Sequence, residues 1–171
     1  MKAIFLDRDG TIIKNVPYLN DPEKIEFLPF VFEGLKILSL YGFSFFIVTN
    51  QSGISRGLIK ISELKKIHEK IKEILKKEGI EIKEIVYCPH LPEDNCNCRK
   101  PKTGLIEKIL KKYKVDLKKS YLIGDKEEDI LLAKNIGIKS ISLSKDVSVK
   151  PDFFAENLKE ASLWIIKDFS S

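Results

Sequence analysis

Asp7 and Asp9 stand one residue apart and follow directly on an apolar run, Ala3-Ile4-Phe5-Leu6. That run lacks the polar alternation of a strand with one wet face, so it reads as a short buried strand. Such a strand cannot bury an end that carries two carboxylates and a glycine, because an unpaired buried charge is costly or neutralises itself. The carboxylates must meet water, a cation or a partner. Residues i and i+2 of extended backbone point the same way, so Asp7 and Asp9 can converge on one ligand. One of them can attack while the other handles a proton.

Three further segments carry groups that suit the same chemistry. Thr49-Asn50-Gln51-Ser52-Gly53 follows an apolar run, Arg99-Lys100-Pro101 follows a cysteine-rich loop, and Gly124-Asp125 precedes a helical pattern with Asp129 one turn inside it. Phosphoryl transfer to a carboxylate needs a nucleophile, a divalent cation to offset repulsion between anions, and a lysine and hydroxyl for the equatorial oxygens. Taken singly, Asp125 reads equally as a helix cap, Thr49 as a β-branched strand residue and Lys100 as a solvated surface group. Their joint placement at four strand ends favours the chemical reading.

All three cysteines lie in one short stretch, Cys88-Pro89-His90-Leu91-Pro92-Glu93-Asp94-Asn95-Cys96-Asn97-Cys98, with one of the two histidines among them. Cys88, His90, Cys96 and Cys98 offer three thiolates and an imidazole, a full tetrahedral set for structural zinc. Free buried thiols or a redox pair are the alternatives. The odd cysteine count argues against a disulfide framework. A zinc here would brace the loop and thereby position Arg99 and Lys100. The other histidine, His68, falls inside a long helical pattern and reads as a surface or packing residue.

The elements that must hold these groups alternate. Strands are expected at residues 3–7, 43–49, 82–87, 120–124 and 138–143, and helices at about 30–41, 61–78, 103–113, 127–136 and 155–167. The second helix is the clearest: Leu64, Ile67, Ile71, Ile74 and Leu75 form a 3.6-period stripe, with Ser62 as the expected N-cap and Gly79 as the stop. Thr103 is expected to cap the third helix, and Gly137 to end the fourth. Residues 145–154 read as a loop. Strands separated by helices imply an α/β fold, a three-layer parallel sheet of about five or six strands. Such sheets bind ligands at the carboxyl ends of their strands. No insertion is long enough for a separate cap domain, so residues 1–171 are expected to form one domain. Hydrophobic residues make up 43% and charged residues 32%, and 30 Lys plus Arg against 25 Asp plus Glu give +5. That mild excess suits a small anionic substrate rather than nucleic acid. No stretch suggests a membrane span or a signal peptide, so a cytoplasmic, monomeric protein is the expectation.

The pattern Asp-x-Asp-Gly-Thr, a strand-end Thr, a Lys and Gly-Asp-x-x-x-Asp resembles the haloacid-dehalogenase superfamily of aspartate-nucleophile phosphatases, which implies a Rossmann-like core. For the matching positions the resemblance implies that Asp7 forms an aspartyl-phosphate. Asp9 protonates the leaving alkoxide and then activates water, Thr49 hydrogen-bonds the phosphoryl group, and Lys100 neutralises charge. Asp125 would bind Mg²⁺ beside Asp7 and the backbone carbonyl of Asp9, with Asp129 in support.

Within that superfamily, the zinc-type loop followed by Arg-Lys-Pro, together with Thr-Asn-Gln-Ser-Gly-Ile-Ser-Arg-Gly, resembles the heptose 1,7-bisphosphate 7-phosphatase branch, which serves heptose supply for lipopolysaccharide or S-layer. The histidinol-phosphatase branch has a similar loop. Asn50, Gln51, Arg56 and Arg99 are the expected substrate contacts, and two arginines suit the second phosphate of a bisphosphate sugar. Thr103 and Ile13-Lys14 depart from the usual heptose pattern. A nucleic-acid 3′-phosphatase shares the Thr-Asn-Gln-x-Gly segment but lacks support from an aromatic and basic stripe. A phosphate-binding module without activity would have lost Asp7, Asp9 or Lys100.

Overall fold

The computed structural model describes all residues from Met1 to Ser171. Its strands are β1 (Ala3–Leu6), β2 (Ser44–Asn50), β3 (Ile82–Cys88), β4 (Tyr121–Gly124), β5 (Lys139–Ser142) and β6 (Phe153–Phe154). Its α-helices are α1 (Val31–Leu40), α2 (Ile61–Lys77), α3 (Gly104–Leu110), α4 (Glu127–Ile136) and α5 (Leu158–Phe169). The strands form one sheet in the order β3-β2-β1-β4-β5-β6, and every pair is parallel. The chain steps outward from β1 to β3 and then returns to the other side of β1. The strand order therefore reverses between β1 and β4, where sheets of this kind leave a crevice at their carboxyl edge.

Both faces of the sheet are covered, which explains why β1 is apolar at every position. Ile4 and Leu6 pack into a core with α1, α2 and α5, while Ala3 and Phe5 pack into a second core with α3 and α4. Alternate residues of a strand face opposite sides, so a strand between two helical layers has no wet face. The stripe on α2 is buried as its period requires, at Leu64, Ile67, Ile71 and Leu75.

Several boundaries differ from expectation. Ser62 is not the cap of α2: the helix begins one residue before it, and the Glu63 carboxylate accepts from the Lys60 N–H at 2.8 Å. Thr103 occupies the cap position of α3, but its hydroxyl donates to Glu107 Oε1 instead of receiving a helix N–H. α3 ends at Leu110, short of residue 113, and α5 starts at Leu158 rather than 155, capped by Asn157. The stretch at 145–154 is not all loop. Phe153 and Phe154 add a sixth strand beside β5, and Phe153 stacks on Trp164 with ring centroids 5.1 Å apart. That contact is tertiary, so no local periodicity announces it. No helix is long and apolar enough to cross a membrane.

Candidate active site and metal centre

The parallel registers bring the strand ends together. Leu6 pairs with Ile47 on one side and Ile123 on the other, so Asp7 leaves the sheet between Val48 and Gly124. The Asp7 N–H still donates to the Ile123 carbonyl, at 3.0 Å, which fixes the start of the loop. Gly10 then turns the chain with φ +83°, and a Cβ there would strike the Asp125 carboxylate. Gly124 is constrained in the same way, because a Cβ would meet the Asp129 carboxylate. Gly10 thus lets the first loop approach Asp125, and Gly124 lets the end of β4 approach Asp129 of the helix that follows it.

Lys100 is the centre of the arrangement. It is only 4% exposed, and its Nζ donates to Asp7 Oδ1 at 2.9 Å, to Asp129 Oδ1 at 2.6 Å and to the Val48 carbonyl at 2.8 Å. All three ammonium protons are therefore placed. Burial acts to lower its pKa, but the carboxylates of Asp129 and Asp7 outweigh that and raise it. For Asp7, burial favours the neutral acid, but the charges of Lys100 and Lys126 prevail and hold the carboxyl below its usual range. An ionised, buried carboxylate at a strand end is a competent nucleophile.

Asp125 and Asp129 feel the opposite balance. Burial and the negative charge of Asp7 push Asp125 up to about 8 and Asp129 to about 6. Asp7, Asp125 and Asp129 each place a carboxylate oxygen within 4.8 Å of the other two. Like charges held this close are relieved by protons or by a cation. The all-oxygen donor set suits Mg²⁺, which takes few carboxylates and keeps several waters. Asp129 is further fixed by the Asp125 and Lys126 N–H groups, at 3.3 and 3.2 Å.

Asp9 lies beside this cluster with both oxygens engaged. Oδ1 accepts from Arg8 Nε at 3.1 Å and Nη2 at 2.9 Å, and Oδ2 accepts from Gln51 Nε2 at 2.9 Å. Gln51 Nε2 also donates to Thr49 Oγ1, at 2.9 Å. Asp7, Asp9, Thr49, Asn50, Arg99 and Lys100 all line one cavity of about 150 Å³ that has no hydrophobic residue in its wall. A second cavity of about 260 Å³ shares Asp9, Asn50, Ser52 and Lys126 with it and extends to Val16, Pro17 and Tyr18.

Asn50 ties the second strand to the lysine. Its Oδ1 accepts from the Lys100 N–H at 3.0 Å, and its Nδ2 donates to the Lys100 carbonyl at 3.2 Å. Arg56 stands apart from these residues: it is exposed, lines neither cavity, and its Nε lies 3.4 Å from Ser52 Oγ. Sequence reasoning missed Lys126 and Arg8. Lys126 follows Asp125 directly and could have been found by adjacency, whereas Arg8 was hidden as the middle of the acidic pair.

The cysteine loop closes on itself. Sγ of Cys88 lies 3.6 Å from that of Cys96 and 3.1 Å from that of Cys98, while His90 Nδ1 is 3.4 Å from Cys88 and 3.2 Å from Cys98. Sulfurs bound tetrahedrally at ~2.3 Å from zinc stand roughly 3.8 Å apart. The donor set and its spacing therefore fit zinc after a small expansion. With no metal, burial and the neighbouring Cys98 thiol push the Cys88 thiol up to about 12. The Arg99 N–H donates to Cys96 Sγ at 3.4 Å and Arg99 Nη1 to the His90 carbonyl at 3.3 Å, so the loop directly holds the residue before Lys100.

Comparison with known proteins agrees with this geometry. Residues 2–161 match the family described as polynucleotide kinase 3 phosphatase. Over 128 residues the chain is 47% identical to a probable D-glycero-D-manno-heptose-1,7-bisphosphate 7-phosphatase of Thermoplasma volcanium, covering 75% of this chain and 88% of that protein. It is 45% identical over 143 residues to the histidine biosynthesis bifunctional protein of Blochmanniella floridana, covering 82% of this chain but 40% of that one. The crystal structure of D,D-heptose 1,7-bisphosphate phosphatase from B. bronchiseptica, complexed with magnesium and phosphate, superposes with a TM-score of 0.88 at 28% identity, covering 98% of this chain and 99% of that chain. The chain therefore belongs to the polynucleotide kinase 3 phosphatase family of haloacid-dehalogenase-like phosphatases, among which the heptose-bisphosphate phosphatases are its relatives.

Proposed function

We propose that this chain is a magnesium-dependent phosphatase that removes the C7 phosphate of D-glycero-D-manno-heptose 1,7-bisphosphate, acting as a one-domain monomer in the cytoplasm. The observation that carries the reading is the buried Lys100 ammonium held between Asp7 and Asp129 at the wall of a wholly polar cavity. The names of the Thermoplasma volcanium and B. bronchiseptica proteins support this substrate.

In the first step a carboxylate oxygen of Asp7 attacks phosphorus. The new bond to Asp7 forms as the bond to the C7 oxygen breaks, and Asp9 gives its proton to that oxygen, releasing a hydroxyl. In the second step water attacks the aspartyl-phosphate, its proton passes to Asp9, and inorganic phosphate leaves with Asp7 restored. Thr49 and Lys100 hold the non-reacting oxygens. Asp7, Asp125 and the Asp9 carbonyl, with Asp129 in support, would hold Mg²⁺, which would offset the repulsion between the two anions. Arg99 and Lys126 receive the body and second phosphate of the sugar across the two joined cavities. Gln51 and Asn50 align the acid and the lysine, and Arg56 joins from the rim by leaving Ser52. Zinc on Cys88, His90, Cys96 and Cys98 is structural, because four protein ligands close its shell. Cysteines gathered as zinc ligands suit a reducing compartment.

A second reading, hydrolysis of histidinol phosphate, is favoured by the 45% identity to a histidine-biosynthesis protein. The family name points also to nucleic acid, but a charge of +5 offers no dense basic track. The test is turnover of heptose 1,7-bisphosphate, histidinol phosphate and a 3′-phosphorylated oligonucleotide, side by side with Mg²⁺. The heptose is expected to lead in kcat/KM by more than about tenfold, which is ~1.4 kcal/mol of discrimination. A lead for either other ester replaces the substrate assignment.

A further inference from the structure

Arg8 is among the largest fully buried side chains of the molecule, at 1% exposure, and one side of its guanidinium grips Asp9. Its guanidinium does not end there. Nη1 lies 3.1 Å from Nε2 of His68, a residue of α2 that is 60 positions away and 8% exposed. An arginine can only donate, so Nε2 of His68 must be the acceptor and its proton must sit on Nδ1. Burial and the Arg8 charge hold the His68 pKa down to about 3, which keeps the imidazole neutral and able to accept. His68 is thus the hydrogen-bond partner at the far end of the guanidinium whose near end grips Asp9 Oδ1 twice.

We propose that His68 is a positioning residue for the acid–base: by anchoring Arg8 from α2, it fixes the carboxylate of Asp9 in the orientation that proton transfer to the leaving oxygen requires. The physical reason lies in the linkage. Asp9 extends from a loop, and its Oδ1 is held entirely by Arg8. Without the His68 contact the guanidinium is hydrogen-bonded to Asp9 alone, and Gln51 on Oδ2 is then the one remaining anchor of that carboxylate from outside its own loop. The second grip comes from a helix, and sites supported from rigid elements are the ones held within a fraction of an ångström. His68 touches neither the metal-ligand carboxylates nor the two cavities, so its effect reaches the reaction only through Arg8.

The inference rests on the phosphatase reading and on Asp9 as acid–base, and the test separates the two. His68→Leu keeps apolar bulk and removes the acceptor. His68→Gln keeps an acceptor near the place of Nε2. Both are compared with wild type on the sugar phosphate and on p-nitrophenyl phosphate, whose leaving group needs no proton. For His68→Leu, kcat on the sugar phosphate is expected to fall by at least about tenfold, part of the roughly 10²–10⁴-fold that a positioned acid or base supplies, with KM within about twofold. The first-turnover burst of p-nitrophenolate should persist at the wild-type rate. His68→Gln should recover kcat to within about threefold. A folded His68→Leu with wild-type kcat overturns the inference, and so does equal loss of the burst, or a Gln variant no better than Leu. Should the Leu variant fail to fold, His68→Asn, polar but too short to reach Arg8, takes its place under the same criteria. Failure of the phosphatase reading shows instead in the wild type, as an inability to hydrolyse any phosphate ester, and removes both conclusions.

Discussion

Lys100 Nζ stands 2.9 Å from Asp7 Oδ1, although 93 residues separate the two in the chain. Both are almost wholly buried, so the pair gains little from solvent and depends on its geometry. Removing one partner of a buried pair leaves an uncompensated charge and typically costs ~3–5 kcal/mol. Lys100→Met is expected to lose stability on that scale in metal-free buffer, read by urea unfolding. It is also expected to lose kcat by more than about 10²-fold.

The proposed nucleophile makes a separable prediction. Asp7→Asn removes a negative charge from a crowded site and leaves Lys100 paired with Asp129, so the fold should survive while turnover falls by roughly 10⁴-fold or more. Circular dichroism and single-turnover hydrolysis measure the two outcomes. A folded Asn variant with near-normal rates would refute the assignment.

Cation binding should depend on pH in a definite direction. Burial and the charge of Asp7 raise Asp125 to about 8, and a cation binds only the ionised carboxylate. Below that pH, each bound Mg²⁺ must displace a proton, which weakens binding by up to about tenfold per pH unit. Calorimetric titration at pH 6.5 and 8.5 should therefore show tighter binding at the higher pH and net proton release at the lower. Affinity independent of pH would contradict the crowding of Asp7, Asp125 and Asp129.

Zinc is expected at one ion per chain by metal analysis, and chelation should reduce stability before it reduces the rate of the remaining folded enzyme. A loss of 1 kcal/mol lowers the melting temperature by about 2–4 °C in a chain of this size. A shift of at least that size is expected on chelation or for Cys98→Ser. A folded and fully active protein free of zinc would remove the metal from the account.

The buried imidazole links folding to acidity. His68 is held down to about 3 in the folded chain, whereas an unfolded histidine titrates near ~6.5. Between those values the unfolded state binds more protons, so stability rises with pH there and is lost on acidification. The slope approaches ~1.4 kcal/mol per pH unit, full stability from this group being present above pH ~6.5. Urea unfolding of wild type and His68→Gln at pH 7.5 and 5 should differ by this contribution, with the wild type falling more.

Much of the site is legible in the sequence because its residues sit at strand ends. Asp7, Thr49 and Asp125 each stand at or beside the end of a strand whose hydrophobic pattern is plain, and parallel sheets gather such ends on one edge, whereas Lys100 reaches them from the loop beyond β3. Cys88, His90, Cys96 and Cys98 are legible because metal-ligand spacing is local. What stays hidden is built across the chain. The bond from Arg8 to His68, the clamp of Asn50 on the Lys100 backbone and the stacking of Phe153 on Trp164 leave no period or motif behind. Ser62 misleads for a different reason: an N-cap preference is worth only ~1 kcal/mol, and Glu63 serves the helix start from inside it.

The reversal of strand order at β1 has a consequence for biosynthesis. β1 is translated first, yet one of its flanks stays bare until β4 emerges more than a hundred residues later. A nascent chain that has released β1, α1, β2, α2 and β3 still lacks both lysine and acid partners for Asp7. Contacts of such long sequence separation form slowly, because the chain between them must first be ordered. Ribosome-bound intermediates should therefore be catalytically silent until the Gly124-Asp125 turn has cleared the exit tunnel, and phosphatase activity should switch on in one step with chain length rather than grow with it.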